Sequence, residues 1–300
     1  MSVAESIKAR LKNRAESEKR TYQEILTIFA LERTLFRLSI SSYSDQFILK
    51  GGILLYALYQ GDFTRGTADV DLLGQQITND LEVIRKVFLQ IFSLKCPEDG
   101  IQFDLSTLKA ERITEFKKYP GINVSIDGFL ERTKLSVRID IGFGDVIYPS
   151  KIRMEYPTLL SHQAPILQAY SKESMIAEKF EAIVSHGKAN SRIKDFYDIY
   201  ALLGTFDFDG AVLSEAIKET FSNRKTKLDN IVAFEAGFAT DPYRKGMWTS
   251  FLKTKKISLR LDFEAVIQKI GIFLNPLIET IQNGSVDKSI WDHLIGEWCK

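Results

Sequence analysis

The chain has 300 residues, with 40 lysines and arginines against 39 acids, a formal charge of only +1. That balance excludes a constitutively basic nucleic-acid coat and an acidic disordered tail. With 45% apolar and 26% charged residues it has the composition of an ordinary soluble globular protein of about two domains.

Cys96 and Cys299 lie far apart, with no CxxC pair, which argues against a disulfide scaffold and structural zinc. His162, His186 and His293 have no metal-ligand spacing between them, so histidine-based metal or triad chemistry is not expected. The first 20 residues carry charges every few positions and lack the apolar core of a signal peptide, and no long apolar run occurs. A cytoplasmic protein with no membrane span is expected.

Along the chain, Ile25, Ile28, Phe29, Leu35 and Phe36 follow a helical period. The texture then changes to short runs rich in β-branched and aromatic residues: Gln46–Lys50, Ala68–Leu73, Ile101–Leu105, Ile122–Leu130, Lys134–Phe143 and Met154–Leu159. Helices are expected between them at Gly52–Tyr59 and Asn79–Leu94. Asn123–Glu131 and Lys134–Phe143 read as a hairpin joined through Arg132 and Thr133. After Pro165 the pattern is helical: Ser171–His186, Ser191–Leu203, Asp209–Phe221, Pro242–Leu252, Phe263–Gln282 and Ser285–Trp298. The fold class expected is α+β, a small mixed sheet with helices in residues 1–165 followed by a helical C-terminal domain in 166–300.

The chemistry concentrates in Lys50-Gly51-Gly52 and in Arg65-Gly66-Thr67-Ala68-Asp69-Val70-Asp71-Leu72. Acids two apart are common; Glu16/Glu18, Asp80/Glu82, Asp207/Asp209 and Asp262/Glu264 are others. Asp69 and Asp71 differ because they alternate with Val70 and Leu72 in a short strand, which aims both carboxylates to one face about 6.5–7 Å apart at Cα. Acids so placed repel unless a cation lies between them, and Mg²⁺ is the oxygen-seeking ion expected. By contrast Asp207/Asp209 stands at a helix start, where an acid caps. Gly51-Gly52, between a strand and a helix, lets backbone N–H groups approach a phosphate, although such a pair is also an ordinary strand-to-helix turn. Asp140 shares the polar face of its strand with Ser136 and Arg138, which is either a solvated face or the third carboxylate of a two-metal phosphoryl-transfer site.

Together, Lys50-Gly51-Gly52-x-x-Leu55, Arg65-x-Thr67-x-Asp69-x-Asp71-Leu72, the strand ending at Asp140, Glu178-Lys179 and Arg192-x-Lys194-Asp195-x-x-Asp198 resemble the AbiEii nucleotidyltransferase toxins and the related MenT toxins over about residues 46–200. The resemblance implies a DNA polymerase β-like nucleotidyltransferase domain. It implies that Asp69, Asp71 and Asp140 hold the metals, that Arg65 contacts phosphate, and that Lys179 and Asp195 serve nucleotide binding and activity. Lys50, Gly51, Gly52 and Thr67 belong to the same nucleotide-binding set. It further implies a nucleoside triphosphate (NTP) substrate, an RNA acceptor with the tRNA 3′ end favoured, and an AbiEi-like antitoxin partner.

Periodicity also offers plainer roles: Lys179 covering apolar surface with its stem, Lys194 and Asp198 forming a surface pair, Asp195 favouring a helix dipole. Arg224-Lys225-x-Lys227 and Lys253-x-Lys255-Lys256-x-x-x-Arg260 are basic clusters that either contact RNA phosphates or form solvated faces. Two alternatives to RNA modification stay open: transfer to a protein hydroxyl, or a non-catalytic nucleotide-binding module.

Overall fold

The structure, a computed structural model, describes residues 2–62, 65–113, 121–258 and 260–300. The chain divides into two compact units, one of residues 1–144 and 152–169 and one of 145–151 and 170–300. Among the described residues no helix is long and apolar enough to cross a membrane.

In the first unit, helices α1 (Val3–Ser17) and α2 (Tyr22–Ser39) each start at a capping box, Ser2 with Glu5 and Thr21 with Glu24, which satisfies two orphan N–H groups at once. β1 (Phe47–Lys50) runs directly into α3 (Gly51–Leu58), followed by β2 (Val70–Gly74) and α4 (Leu81–Ser93). The strands β3 (Ile101–Arg112), β4 (Ile122–Leu130), β5 (Thr133–Phe143), β6 (Ile152–Glu155) and β7 (Ile166–Ala169) complete a mixed sheet in the order β3-β4-β5-β2-β1-β7-β6. β2 pairs parallel with β5 and β1 with β7, and the other pairs are antiparallel. Val70, Leu72, Ile122, Val124, Ile126, Val137, Ile139 and Ile141 are buried. On β4 and β5 the alternate residues, Asn123 and Ser125, Ser136, Arg138 and Asp140 among them, form a more open polar face.

α2 is buried nearly all round because it also carries a charged cluster into the core. Arg37 donates from both terminal nitrogens to Asp99, at 2.6 and 3.2 Å, and Arg33 donates to Asp99 through Nε at 3.3 Å. Glu32 accepts the Leu159 N–H at 2.7 Å. Burial pushes the Glu32 carboxyl up to about 7, against the Leu159 hydrogen bond and the neighbouring Arg33.

The second unit consists of α5 (Lys172–His186), α6 (Ile193–Leu203), α7 (Gly210–Arg224), α8 (Pro242–Thr254) and α9 (Phe263–Gln282), with a small sheet of β8 (Phe208–Asp209), β9 (Ile290–Asp292) and β10 (Glu297–Cys299). Phe180, Phe196, Phe221, Phe263, Phe273 and Trp291 fill its core.

Several features depart from the sequence expectation. Of the expected strand Met154–Leu159 only Met154 and Glu155 are strand, at the end of β6, because Pro157 cannot continue the ladder. The Ile166–Ala169 run is a strand paired with β1, although its four residues are too few to show a period. Ser285–Trp298 is not helical: Gly296, at φ +71, closes a turn between β9 and β10, and the indoles of Trp291 and Trp298 donate to the Leu203 and Phe273 carbonyls. The β4–β5 turn comprises Glu131 and Arg132, so that Leu130 faces Thr133, earlier than expected.

Candidate active site

The Gly51-Gly52 pair is explained by what packs on it. Gly51 has φ +67, a left-handed conformation that disfavours any side chain, and a Cβ there would stand 2.0 Å from Asp71 Oδ2. The Asp71 carboxylate therefore occupies the space that glycine leaves. The Gly52 N–H points to the same oxygen at 3.3 Å. On its other side, a Cβ at Gly52 would lie 2.8 Å from Arg65 Nη2 and 3.2 Å from Thr67 Oγ1. The strand-to-helix junction is thus a cradle of bare backbone, with a carboxylate and a buried guanidinium closing on it.

Strand register extends the site across the sheet. Lys50 faces Asp71, Asp71 faces Asp140, Asp140 faces Asn123, and Asn123 faces Glu111. Directly opposed residues share a face, so five polar side chains form one row across five strands. Asp71 and Asp140 stand on neighbouring strands about 4.8 Å apart. Asn123 Nδ2 donates to Asp140 Oδ1 at 2.6 Å, a short charge-assisted bond that holds the carboxylate's orientation. Asp69 immediately precedes β2 at a bend rather than within the strand, and its carbonyl accepts the Thr67 hydroxyl at 3.2 Å.

Asp69, Asp71 and Asp140 are hard oxygen donors of the kind Mg²⁺ takes, and two of them face each other across a parallel strand pair. The residues fit that ion. Their oxygens are less tightly drawn together than those of Asp207, Asp292 and His293 in the second unit, the only three such groups among the described residues with ligand atoms within 4.8 Å of one another. That second cluster has an internal explanation: the Asp207 carboxylate accepts both the N–H and the ring nitrogen of His293, at 3.0 and 2.7 Å, beside the β9–β10 turn.

The remaining expected residues lie in the second unit. Lys179 donates to Asp198 at 2.6 Å and to Asp195 at 3.5 Å, while Arg192 Nε donates to Asp195 at 2.6 Å. Burial works to raise the Asp195 pKa, but Lys179 and Arg192 outweigh it and hold the carboxyl below its ordinary value. Asp198 is fully buried and pairs with Lys179, not with the exposed Lys194 that helical spacing suggested. Arg224, read from sequence as part of a basic cluster, donates to Asp145, Glu178 and Glu181 at 2.7–3.1 Å. Burial would lower its pKa, but these carboxylates raise it. Its guanidinium is therefore committed inside the protein.

Asn123 escaped the sequence reading. A hairpin turned at Arg132 and Thr133 sets Ser125 opposite Asp140, whereas the actual turn sets Asn123 there. Polar residues with their partners far off in sequence, such as Glu32 and Asp99, left no periodic signal.

The profile of the family described as nucleotidyl transferase AbiEii toxin, type IV TA system, matches residues 33–269. No curated protein matches the sequence. Among solved structures, the chain resembles a candidate nucleotidyltransferase from H. pylori at 14% identity and a TM-score of 0.47, covering 87% of this chain and 98% of that one. It also resembles JHP933 from Helicobacter pylori at 15% identity and a TM-score of 0.45, covering 85% and 92%. Likenesses this distant carry no argument about the chain's chemistry.

Proposed function

The chain belongs to the AbiEii nucleotidyltransferase toxin family of type IV toxin–antitoxin systems, and from that premise we propose that it transfers a nucleoside monophosphate from an NTP to an RNA hydroxyl, the tRNA 3′ end in first place. The observation that carries the reading is the Asp71–Asp140 register pair beside a glycine whose missing side chain makes room for the Asp71 carboxylate.

In this reading Asp69, Asp71 and Asp140 would hold Mg²⁺. When bound, the metal supplies Lewis-acid stabilisation of negative charge on the phosphates and on the attacking oxygen. The Gly51-Gly52 junction, whose missing side chains let the Asp71 carboxylate and the Arg65 guanidinium close on it, would receive the triphosphate, with Lys50, Arg65 and Thr67 as phosphate partners. The acceptor hydroxyl forms a bond to the α-phosphorus as the bond to the bridging oxygen breaks and pyrophosphate leaves. Asp140, oriented by Asn123, assists removal of the hydroxyl proton. The roles of Lys179 and Asp195 in nucleotide binding and activity rest on the family motif alone. A cognate antitoxin partner is part of the same proposal.

The test is to incubate the protein with each α-labelled triphosphate, Mg²⁺, and either total RNA or cell extract. Label entering RNA supports the proposal; label entering protein transfers it to a protein hydroxyl; label entering neither favours a nucleotide-binding module without transfer.

A further inference from the structure

One residue pair along the strands from the carboxylate row lies a second row on the same open face. Lys109 on β3 faces Ser125 on β4, and Ser125 faces Arg138 on β5. Each stands two residues from a member of the first row: Lys109 from Glu111, Ser125 from Asn123, Arg138 from Asp140. The two rows are therefore about 6.5–7 Å apart, and the Lys109 and Arg138 backbones lie two strand spacings apart, about 9.5 Å.

Both cations are exposed, and neither forms an ion pair with another described residue. Lys109 senses Asp127, but the ion pair there belongs to Lys134, whose Nζ lies 2.8 Å from the Asp127 carboxylate. What sets these two cations apart from other exposed ones is their register: they flank a hydroxyl and stand two residues along the same strands from the candidate catalytic row.

We propose that Lys109, Ser125 and Arg138 form a binding platform for the backbone phosphates of a single-stranded polynucleotide acceptor, one step back from its reacting hydroxyl. The charges are complementary, since a phosphate chain carries one negative charge per nucleotide and the row offers two cations with a hydroxyl donor between them. The offset from Asp140 suits an extended strand whose end reaches the carboxylates while its preceding phosphate comes over Arg138. This inference rests on the nucleotidyl-transfer reading for the identity of the acceptor, but its test does not depend on turnover.

The experiment measures binding of a fluorescein-labelled single-stranded RNA oligonucleotide by anisotropy at several salt concentrations, for wild type, the double variant Lys109→Ala/Arg138→Ala, and Lys134→Ala as control. Transfer kinetics with NTP and RNA varied separately accompany it. The double variant should bind RNA at least about tenfold more weakly, and its slope of log affinity against log salt should fall by about 1.4, the value for two lost single-strand phosphate contacts. Lys134→Ala should change affinity by no more than about twofold. The KM for NTP should not move. Unchanged RNA affinity in the double variant, no RNA binding by the wild type, or a rise in the KM for NTP equal to that for RNA would each overturn the platform. If RNA binding falls as expected but the wild type transfers no nucleotide, the transfer reading fails and the platform stands.

Discussion

Asp71 and Asp140 face each other on adjacent parallel strands, and Asn123 fixes the second of them through a 2.6 Å hydrogen bond from the strand beyond. Two carboxylates brought together from segments nearly 70 positions apart, on the open face of a sheet, are costly unless a cation offsets their charges. On the proposed reading Asn123 acts through Asp140 as a positioning residue. Asn123→Ala should weaken Mg²⁺ activation by about 10-fold or more, the usual effect of removing a partner that orients a metal ligand. Asn123→Asp, which adds a repelling charge at the same place, should be worse. A titration of transfer rate against Mg²⁺ concentration checks both, and an unchanged activation constant in each would remove Asn123 from the site.

The glycine cradle makes a graded prediction. Gly51→Ala puts a Cβ onto the Asp71 carboxylate and forces a left-handed backbone angle on alanine, so it should abolish transfer by displacing Asp71. Gly52→Ala meets the end of the Arg65 side chain, which can shift, and should leave the greater residual activity. Equal activities in the two variants, with folding checked by circular dichroism, would contradict this assignment of the pair.

The buried Glu32 predicts a pH dependence of stability with a definite sign. Its folded pKa of about 7 lies above the ordinary value of 4.5, so between these limits the folded state holds a proton that the unfolded state has released. Stability should therefore fall as pH rises from about 4.5 to 7 and level off above, by at most about 3 kcal/mol. Glu32→Gln, a neutral stand-in for the protonated acid, should remove this slope and unfold at higher urea than wild type at pH 8. A wild type that gains on Glu32→Gln across this window would refute the reading.

Asp195 predicts the opposite sign in the other unit. Its carboxyl is held below the ordinary value, so its contribution is fully present above the unfolded pKa, near 4, and is lost as pH falls through the folded one. The difference in urea midpoint between wild type and Asp195→Asn should be largest at neutral pH and shrink below about pH 4. A difference that grows on acidification would contradict the Lys179 and Arg192 pairing.

What the sequence made legible was local. The strand alternation that singled out Asp69 and Asp71 and put Asp140 on a polar face needed only neighbouring residues, although Asp69 falls at the bend just before β2. So did the reading of Asp209 at a helix start, and Asp80, Asp209 and Asp262 all prove to be helix N-caps, accepting N–H groups of their own first turns. Asn123 was hidden by a hairpin turn placed too far along. The partners of Lys179, Asp198 and Arg224 depend on how helices pack, which no spacing rule reports. The Ser285–Trp298 stretch reads as amphipathic helix until the glycine turn and the two indole hydrogen bonds are seen.

The most direct measurement of the central claim follows label from an α-labelled NTP into RNA with Mg²⁺ present, for wild type, Asp71→Asn and Asp140→Asn of equal thermal stability. Wild type should transfer nucleotide and release pyrophosphate in equal amounts, and each variant should lose at least about 100-fold in rate, because charge on the transferred phosphate is left unopposed. A wild type without transfer, or two asparagine variants that keep most of it, would contradict the assignment of this carboxylate pair as the catalytic centre.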